Sequence, residues 1–174
     1  PALLLKARQV VKAGDTAPVA GGDKNALPQP VAINWAQALP NYQWVANATT
    51  HNRLVPLAAV DPSFHPQTFL QGARRAYELV VVAFARGDLD TLQNLLAPGL
   101  FEAFKSEIEQ RLKDGQQREL LLHNMRSALI SDASLNGTMA YVSVDFVTEQ
   151  SITMRDRDGQ IVDGLDGSKH TLHE

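Results

Sequence analysis

The sequence predicts an α+β domain in which helices precede a long-stranded antiparallel sheet. Two observations carry this prediction. Between about residues 66 and 113, apolar side chains recur at helical spacing. From about residue 138 to 154 they alternate with polar ones, which is the period of a strand with one buried face. Helices followed by strands, in that order, are typical of α+β proteins.

The first predicted helix spans about residues 66–85. Asp61 or Ser63 is expected to cap its N-terminus, and Pro66 suits the first turn, which needs no N–H partner there. Gly87 is expected to end it. The apolar face of this helix consists of Phe69, Ala73, Ala76, Tyr77, Val80, Val81 and Phe84.

Two shorter helices are predicted next. Asp88 is expected to cap a helix over 89–96 that ends before Pro98. The third helix runs over about 100–113 and is closed by Gly115. The apolar face of the third helix consists of Leu100, Phe101, Phe104, Ile108 and Leu112.

The remaining sequence predicts antiparallel strands joined by tight turns. Strands over 119–132 and 138–154 flank Asn136-Gly137, a strong hairpin signal because both residues tolerate positive φ. Shorter strands are expected at 160–164 and from 168 onward, after a polar turn. The apolar face of the second long strand consists of Ala140, Val142, Val144 and Phe146.

Residues 1–60 are interpreted as a flexible linker, because glycines and prolines interrupt them and no helical or strand period persists. The apolar run at 2–5, which precedes Lys6 and Arg8, is expected to be either the end of a membrane anchor or a short amphipathic helix. The aromatic residues of this region fit either a docking segment or a stretch packed on the body; they are Trp35, Tyr42 and Trp44.

Charge is divided unevenly along the 174 residues, whose net charge is −3. Residues 1–60 hold five basic and two acidic side chains, a net +3, whereas residues 61–174 hold 11 basic and 17 acidic ones, a net −6. This balance excludes a general nucleic-acid binder. The absence of cysteine excludes disulfides, thiolate metal sites and a cysteine nucleophile.

No candidate catalytic or metal site in the sequence is complete. His170 and His173 lie on opposite faces of a predicted strand and lack a third ligand, so no metal is expected. The sequence contains no phosphate-binding glycine loop and no nucleophile elbow. His123, Asp145 and Glu149 carry acid–base chemistry, but no convergent polar set surrounds them. The sequence therefore predicts no enzyme and no cofactor.

Several stretches resemble the Tim44-like domain family, which comprises the mitochondrial import-motor adaptor and its alphaproteobacterial relatives. They read DPSFHPQTFLQGARRAYE, AFARGD, GTMAYVSVDFVTEQ and DRDGQIVDG and fall within residues 61–170. The bacterial branch looks closer, because the linker is short. Residues 61–174 are accordingly interpreted as a Tim44-like domain that lacks its last one or two strands. An exposed sheet edge and an uncovered cavity are expected to follow, and both promote association.

This resemblance implies helices packed on a curved antiparallel sheet, in a cone related to the nuclear transport factor two-like superfamily. They are expected to surround an apolar cavity that binds lipid or a partner segment. It implies a non-enzymatic adaptor at the bacterial inner membrane, similar to translocase adaptors. Its partners are expected to be the membrane, reached through the N-terminal region, and a protein such as a chaperone or translocase component. The alternative is a small-ligand-binding protein or an enzyme on the same scaffold.

Two sets of candidate site residues go with this interpretation. The expected cavity residues are Phe69, Tyr77, Val80, Phe84, Phe104, Ile108, Val142, Val144 and Phe146. Anionic lipid repels an acidic body unless a local basic patch exists. The candidate basic contacts are Arg74, Arg75 and Arg111.

Overall fold

The structure is a computed structural model that describes residues 7–10, 43–137, 139–164 and 170–173. Its helices are α1 (Ala48–Val60), α2 (Pro66–Arg86), α3 (Leu89–Leu95) and α4 (Pro98–Lys113). Its strands are β1 (Ala7–Val10), β2 (Gln117–Asn136), β3 (Met139–Arg155), β4 (Ile161–Asp163) and β5 (His170–His173). Four helices followed by a sheet with two long strands confirm the predicted α+β class.

Strand β3 forms the middle of the sheet. Strand β2 pairs with it along one side, and β1, β5 and β4 pair with successive parts of its other side, all antiparallel. The predicted hairpin joins β2 to β3. Asn136 pairs with Met139, and Gly137 takes the left-handed conformation with a φ of 60°.

Helix α2 has the predicted extent, but its N-cap differs from the prediction. His65 is the cap, and its Nδ1 accepts a hydrogen bond from the backbone N–H of Gln67 at 3.3 Å. Asp61 instead accepts from the backbone N–H of Ser63 at 3.0 Å, which stabilises the turn before the helix. Gly87 ends the helix with a φ of 73°, as predicted.

The expectation that residues 1–60 form an unstructured linker is wrong for α1. Asn47 caps this helix by accepting from the backbone N–H of Thr50 at 2.9 Å. Leu54 and Leu57 are buried on the side of the helix that packs on β2. Burial of this face supports the helix even though Pro56 removes one of its backbone donors.

A short segment before α1 also contacts the sheet. Val45 forms a parallel bridge with Ile130, whose N–H donates to the carbonyl of Trp44 at 2.8 Å. Trp44 packs against the core, so for this residue the packed alternative is correct. Trp35, Tyr42 and the apolar run at 2–5 lie outside the described residues.

Strand β2 is an edge strand of the described sheet, and within the described residues Val45 bridges to its outer side at Ile130. Its pairing with β3 shifts register between Leu122 and Asn124, between Met125 and Ser127, and between Ile130 and Asp132. Bulges of this kind twist an edge and oppose regular pairing with another chain. Among the helices that the structure describes, none is both long and apolar enough to cross a membrane.

Candidate functional site

The nine expected cavity residues fall into two separate clusters rather than one. Between the sheet and helices α1 and α2, the first cluster buries four of them and has one at its margin; these are Tyr77, Val142, Val144 and Phe146, with Phe69 partly buried. Where α2, α3 and α4 meet, the second cluster buries two and has two at its margin; these are Val80 and Ile108, with Phe84 and Phe104 partly buried. Helix α2 contributes to both clusters. The nine residues therefore pack as two groups.

Tyr77 packs where the inner face of β3 changes from apolar to polar side chains. Its ring stacks on that of Phe146, with centroids 4.6 Å apart and planes at 27°. The Tyr77 hydroxyl lies 3.4 Å from Oγ1 of Thr148. All three side chains are buried, so a polar pair lies directly beside the apolar core.

Two buried polar side chains, Thr148 and Gln150, continue the inner face of β3 after Phe146. Gln150 is 2% exposed, and no described residue forms a hydrogen bond with its buried Oε1. Both residues are absent from the expected cavity set because they are polar. The strand alternation that places Phe146 inward already implied their position.

The three candidate basic contacts differ in exposure. Arg74 and Arg75 are exposed on α2, as a surface contact requires. Arg111 is 6% exposed, and its Nη2 donates to the carbonyls of Phe84 and Ala85 at 3.0 and 3.1 Å. The expectation that Arg111 is a surface contact is therefore wrong. Its guanidinium donates to carbonyl groups in the last turn of α2, which lack the N–H partner four residues on that a longer helix would supply.

An aromatic and cationic cluster surrounds Phe84. Its ring centroid lies 4.6 Å from that of Phe104, while the guanidinium carbons of Arg111 and Arg118 lie 5.6 and 5.0 Å from it. Both cations are thus within cation–π range of one ring. Nη1 of Arg118 also donates to Oε1 of Glu107 at 3.2 Å. Burial, and then the charge of Arg118, lowers the pKa of Arg111.

The acid–base candidates do not converge on one site. Nε2 of His123 and Oγ of Ser151 share a hydrogen bond of 2.7 Å, but in the described part of the chain no carboxylate bonds to this histidine. Ser151 is buried, Asp145 is exposed, and Glu149 pairs with Arg126. Within the same described part, no group of three or more His, Asp or Glu side chains is arranged to hold a metal.

Comparison with known proteins identifies the fold's relatives. The family model described as the Tim44-like domain matches residues 53–174. This match begins inside α1 and extends through every later element, so it covers the helices and both long strands. None of the curated proteins compared with this chain matches it. The Tim44-like family is in general one of membrane-associated translocase adaptors without catalytic activity. Since the match spans more than half of its length, this chain belongs to the Tim44-like domain family.

Proposed function

We propose that this protein is a non-enzymatic adaptor that binds a protein translocase at the bacterial inner membrane. The observation that carries the proposal is the family match over residues 53–174, which begins inside α1 and includes all the elements after it. Fold alone does not imply function. The family's general role is the reason to favour an adaptor over an enzyme.

The N-terminal region is proposed as the part that meets the membrane. Residues 1–60 carry a net +3 and residues 61–174 a net −6. Each basic residue near an anionic surface contributes about 1 kcal/mol of attraction. Of the three candidate contacts on the body, Arg111 is buried, which leaves Arg74 and Arg75 on α2. Two arginines on a body of net −6 attract an anionic membrane less than the basic N-terminal region does.

The body is proposed to bind the protein partner. Leu112 was predicted to lie on the apolar face of α4, yet it is 63% exposed. Leu121 on β2 is 64% exposed. Exposed leucines on an acidic body suit contact with another protein better than contact with anionic lipid.

Site-specific crosslinking in cells tests the adaptor role. Because the chain lacks cysteine, Leu112→Cys or Leu121→Cys places one photo-crosslinker at a known point. We expect an adduct that sediments with membranes and contains a translocase component or its chaperone, identified by mass spectrometry. Asp145→Cys, on an exposed polar position, is the matched control. Adducts confined to metabolic enzymes would contradict the proposal.

A small-ligand carrier on the same scaffold is the second candidate. The observation that favours it is the buried Oε1 of Gln150, which accepts no hydrogen bond from a described residue. On the same face of β3 lies Thr148, which pairs with the hydroxyl of Tyr77. A ligand that donates a hydrogen bond would satisfy this oxygen. If so, a small molecule should copurify with the native chain and be lost from Gln150→Leu, as native mass spectrometry can show.

A further inference from the structure

Two arginines at the junction of α2, α4 and β2 have buried N–H groups that no described residue accepts. They are Nη1 of Arg111 and Nε of Arg118. A buried charged donor without an acceptor is costly, and native proteins rarely leave one unsatisfied. We propose that Arg111 and Arg118 bind the carboxylate of a small ligand whose body is aromatic or apolar. This inference does not rest on the adaptor proposal.

Both guanidinium groups lie near the same aromatic ring. Each lies over the ring of Phe84, at 5.6 Å for Arg111 and 5.0 Å for Arg118. Arg111 is held in position because its Nη2 donates to the carbonyls of Phe84 and Ala85. Its remaining donor is therefore preorganised, which reduces the ordering cost of binding an anion.

The local charge is positive and only partly balanced. One carboxylate, that of Glu107, pairs with Arg118, and its side chain is 59% exposed. Within the described contacts, Arg111 has no carboxylate partner. An exposed carboxylate that forms a single hydrogen bond is easily displaced. Glu107 thus competes with a ligand carboxylate for Arg118, while it leaves Nε of this arginine without an acceptor among the described residues.

The surroundings favour a carboxylate on an apolar body. A guanidinium group is planar and matches the two oxygens of a carboxylate. The partly buried ring of Phe84 lies beside the two cations, and the ring of Phe104 lies 4.6 Å from that of Phe84. An aromatic or aliphatic group on the ligand would cover these rings. The side chain of Arg118 is 22% exposed, so part of it is accessible to solvent.

Titration of the full chain with benzoate tests the proposal. Benzoate has both a carboxylate and an aromatic ring. Acetate has the charge without the ring, and benzyl alcohol has the ring without the charge. We expect benzoate to bind at least tenfold more tightly than either, measured by calorimetry at constant ionic strength. It should also shift the Nε–Hε resonance of Arg118 in NMR spectra.

Variants of Arg118 and Glu107 show whether these residues bind a ligand or only form a salt bridge that stabilises the fold. Arg118→Met should weaken benzoate binding by about tenfold or more, the loss expected for a charged hydrogen-bond pair. Arg118→Lys, which keeps the charge and the fold but loses Nε, should weaken it as well. Glu107→Gln removes the competing carboxylate and should tighten binding, although it breaks the pair with Arg118.

Arg126→Met, at an exposed arginine that pairs with Glu149, is the matched control and should bind as the native chain does. Equal binding of benzoate by the native chain, Arg118→Met and Arg118→Lys would overturn the proposal. So would weaker binding by Glu107→Gln, or the absence of measurable binding to the native chain.

Discussion

The ring of Tyr77 stacks on the ring of Phe146, with centroids 4.6 Å apart. This contact joins the middle of α2 to the middle of β3, and both side chains are buried. On one side of it the inner face of β3 is apolar. On the other side lie Thr148 and Gln150. The pair therefore marks the boundary between the apolar core and the polar part of the interface.

Loss of the Phe146 ring should destabilise the protein strongly. Phe146→Ala is expected to lower the free energy of unfolding by about 3–5 kcal/mol, because it leaves a cavity under α2. Tyr77→Phe keeps the stacked ring and removes the hydroxyl near Thr148, so a loss of about 1 kcal/mol is expected. Urea unfolding measures both values. A larger effect of Tyr77→Phe would show that the hydroxyl, rather than stacking, holds α2 in place.

Helix α1 should contribute to the stability of the domain although it precedes residue 61. Leu54 is fully buried, and its replacement by alanine is expected to cost about 2–5 kcal/mol. Val55 is its neighbour and is 42% exposed, so Val55→Ala should change stability by about 0.5 kcal/mol or less. Thermal unfolding monitored by circular dichroism compares the two. Similar values for both variants would mean that α1 does not dock on the sheet in solution.

Stability should fall with acid through Asp132. Its hydrogen bond with Arg53 joins β2 to α1 and lowers the pKa of its carboxyl below the ordinary 3.8. Because the folded-state pKa is the lower one, this stabilisation is present above about pH 4 and is lost as the pH falls through the folded-state value.

The measurement for Asp132 is the free energy of unfolding at about pH 5 and about pH 2.5, in the native chain and in Asp132→Asn. We expect a smaller acid-induced loss in the variant. Asp88→Asn is a second comparison, since hydrogen bonds from Thr91 lower the pKa of Asp88 in the same direction. An unchanged slope in Asp132→Asn would refute the assignment to this pair.

A side chain at Gly164, in the turn after β4, should lower the stability of the protein. A Cβ there would lie 2.2 Å from the carbonyl oxygen of Ile152, and the φ is 81°. Gly159 has a similar φ of 78° but open space around it. Alanine at either position carries the left-handed strain of about 1–2 kcal/mol, and Gly164→Ala should add about 1 kcal/mol or more from the backbone clash. Equal unfolding midpoints would contradict this account.

Much of the fold follows from local signals. The apolar spacing of α2 and the hairpin at Gly137 are encoded within short windows, and the structure has both. Helix α1 was missed because Pro56 interrupts it and its apolar residues cluster after residue 53 instead of recurring at helical spacing. Its stabilisation comes from burial of Leu54 against a sheet that lies far along the chain.

The candidate site was less predictable for the same reason. Arg111 looks like a surface residue because arginine is seldom buried, yet α4 brings it against the last carbonyls of α2. Leu112 follows the helical period, but no element that the structure describes covers it, and it is exposed. Thr148 and Gln150 were accessible to sequence reasoning, since the strand alternation fixes their side of the sheet.

We propose that the basic N-terminal region, and not the acidic body, binds the membrane. Flotation of the full chain with anionic vesicles distinguishes the two. Replacement of Lys6, Arg8 and Lys12 by glutamine should abolish flotation, whereas Arg74→Gln with Arg75→Gln should leave it nearly unchanged. Loss of flotation in the Arg74 and Arg75 variant, with flotation retained in the N-terminal variant, would contradict the claim.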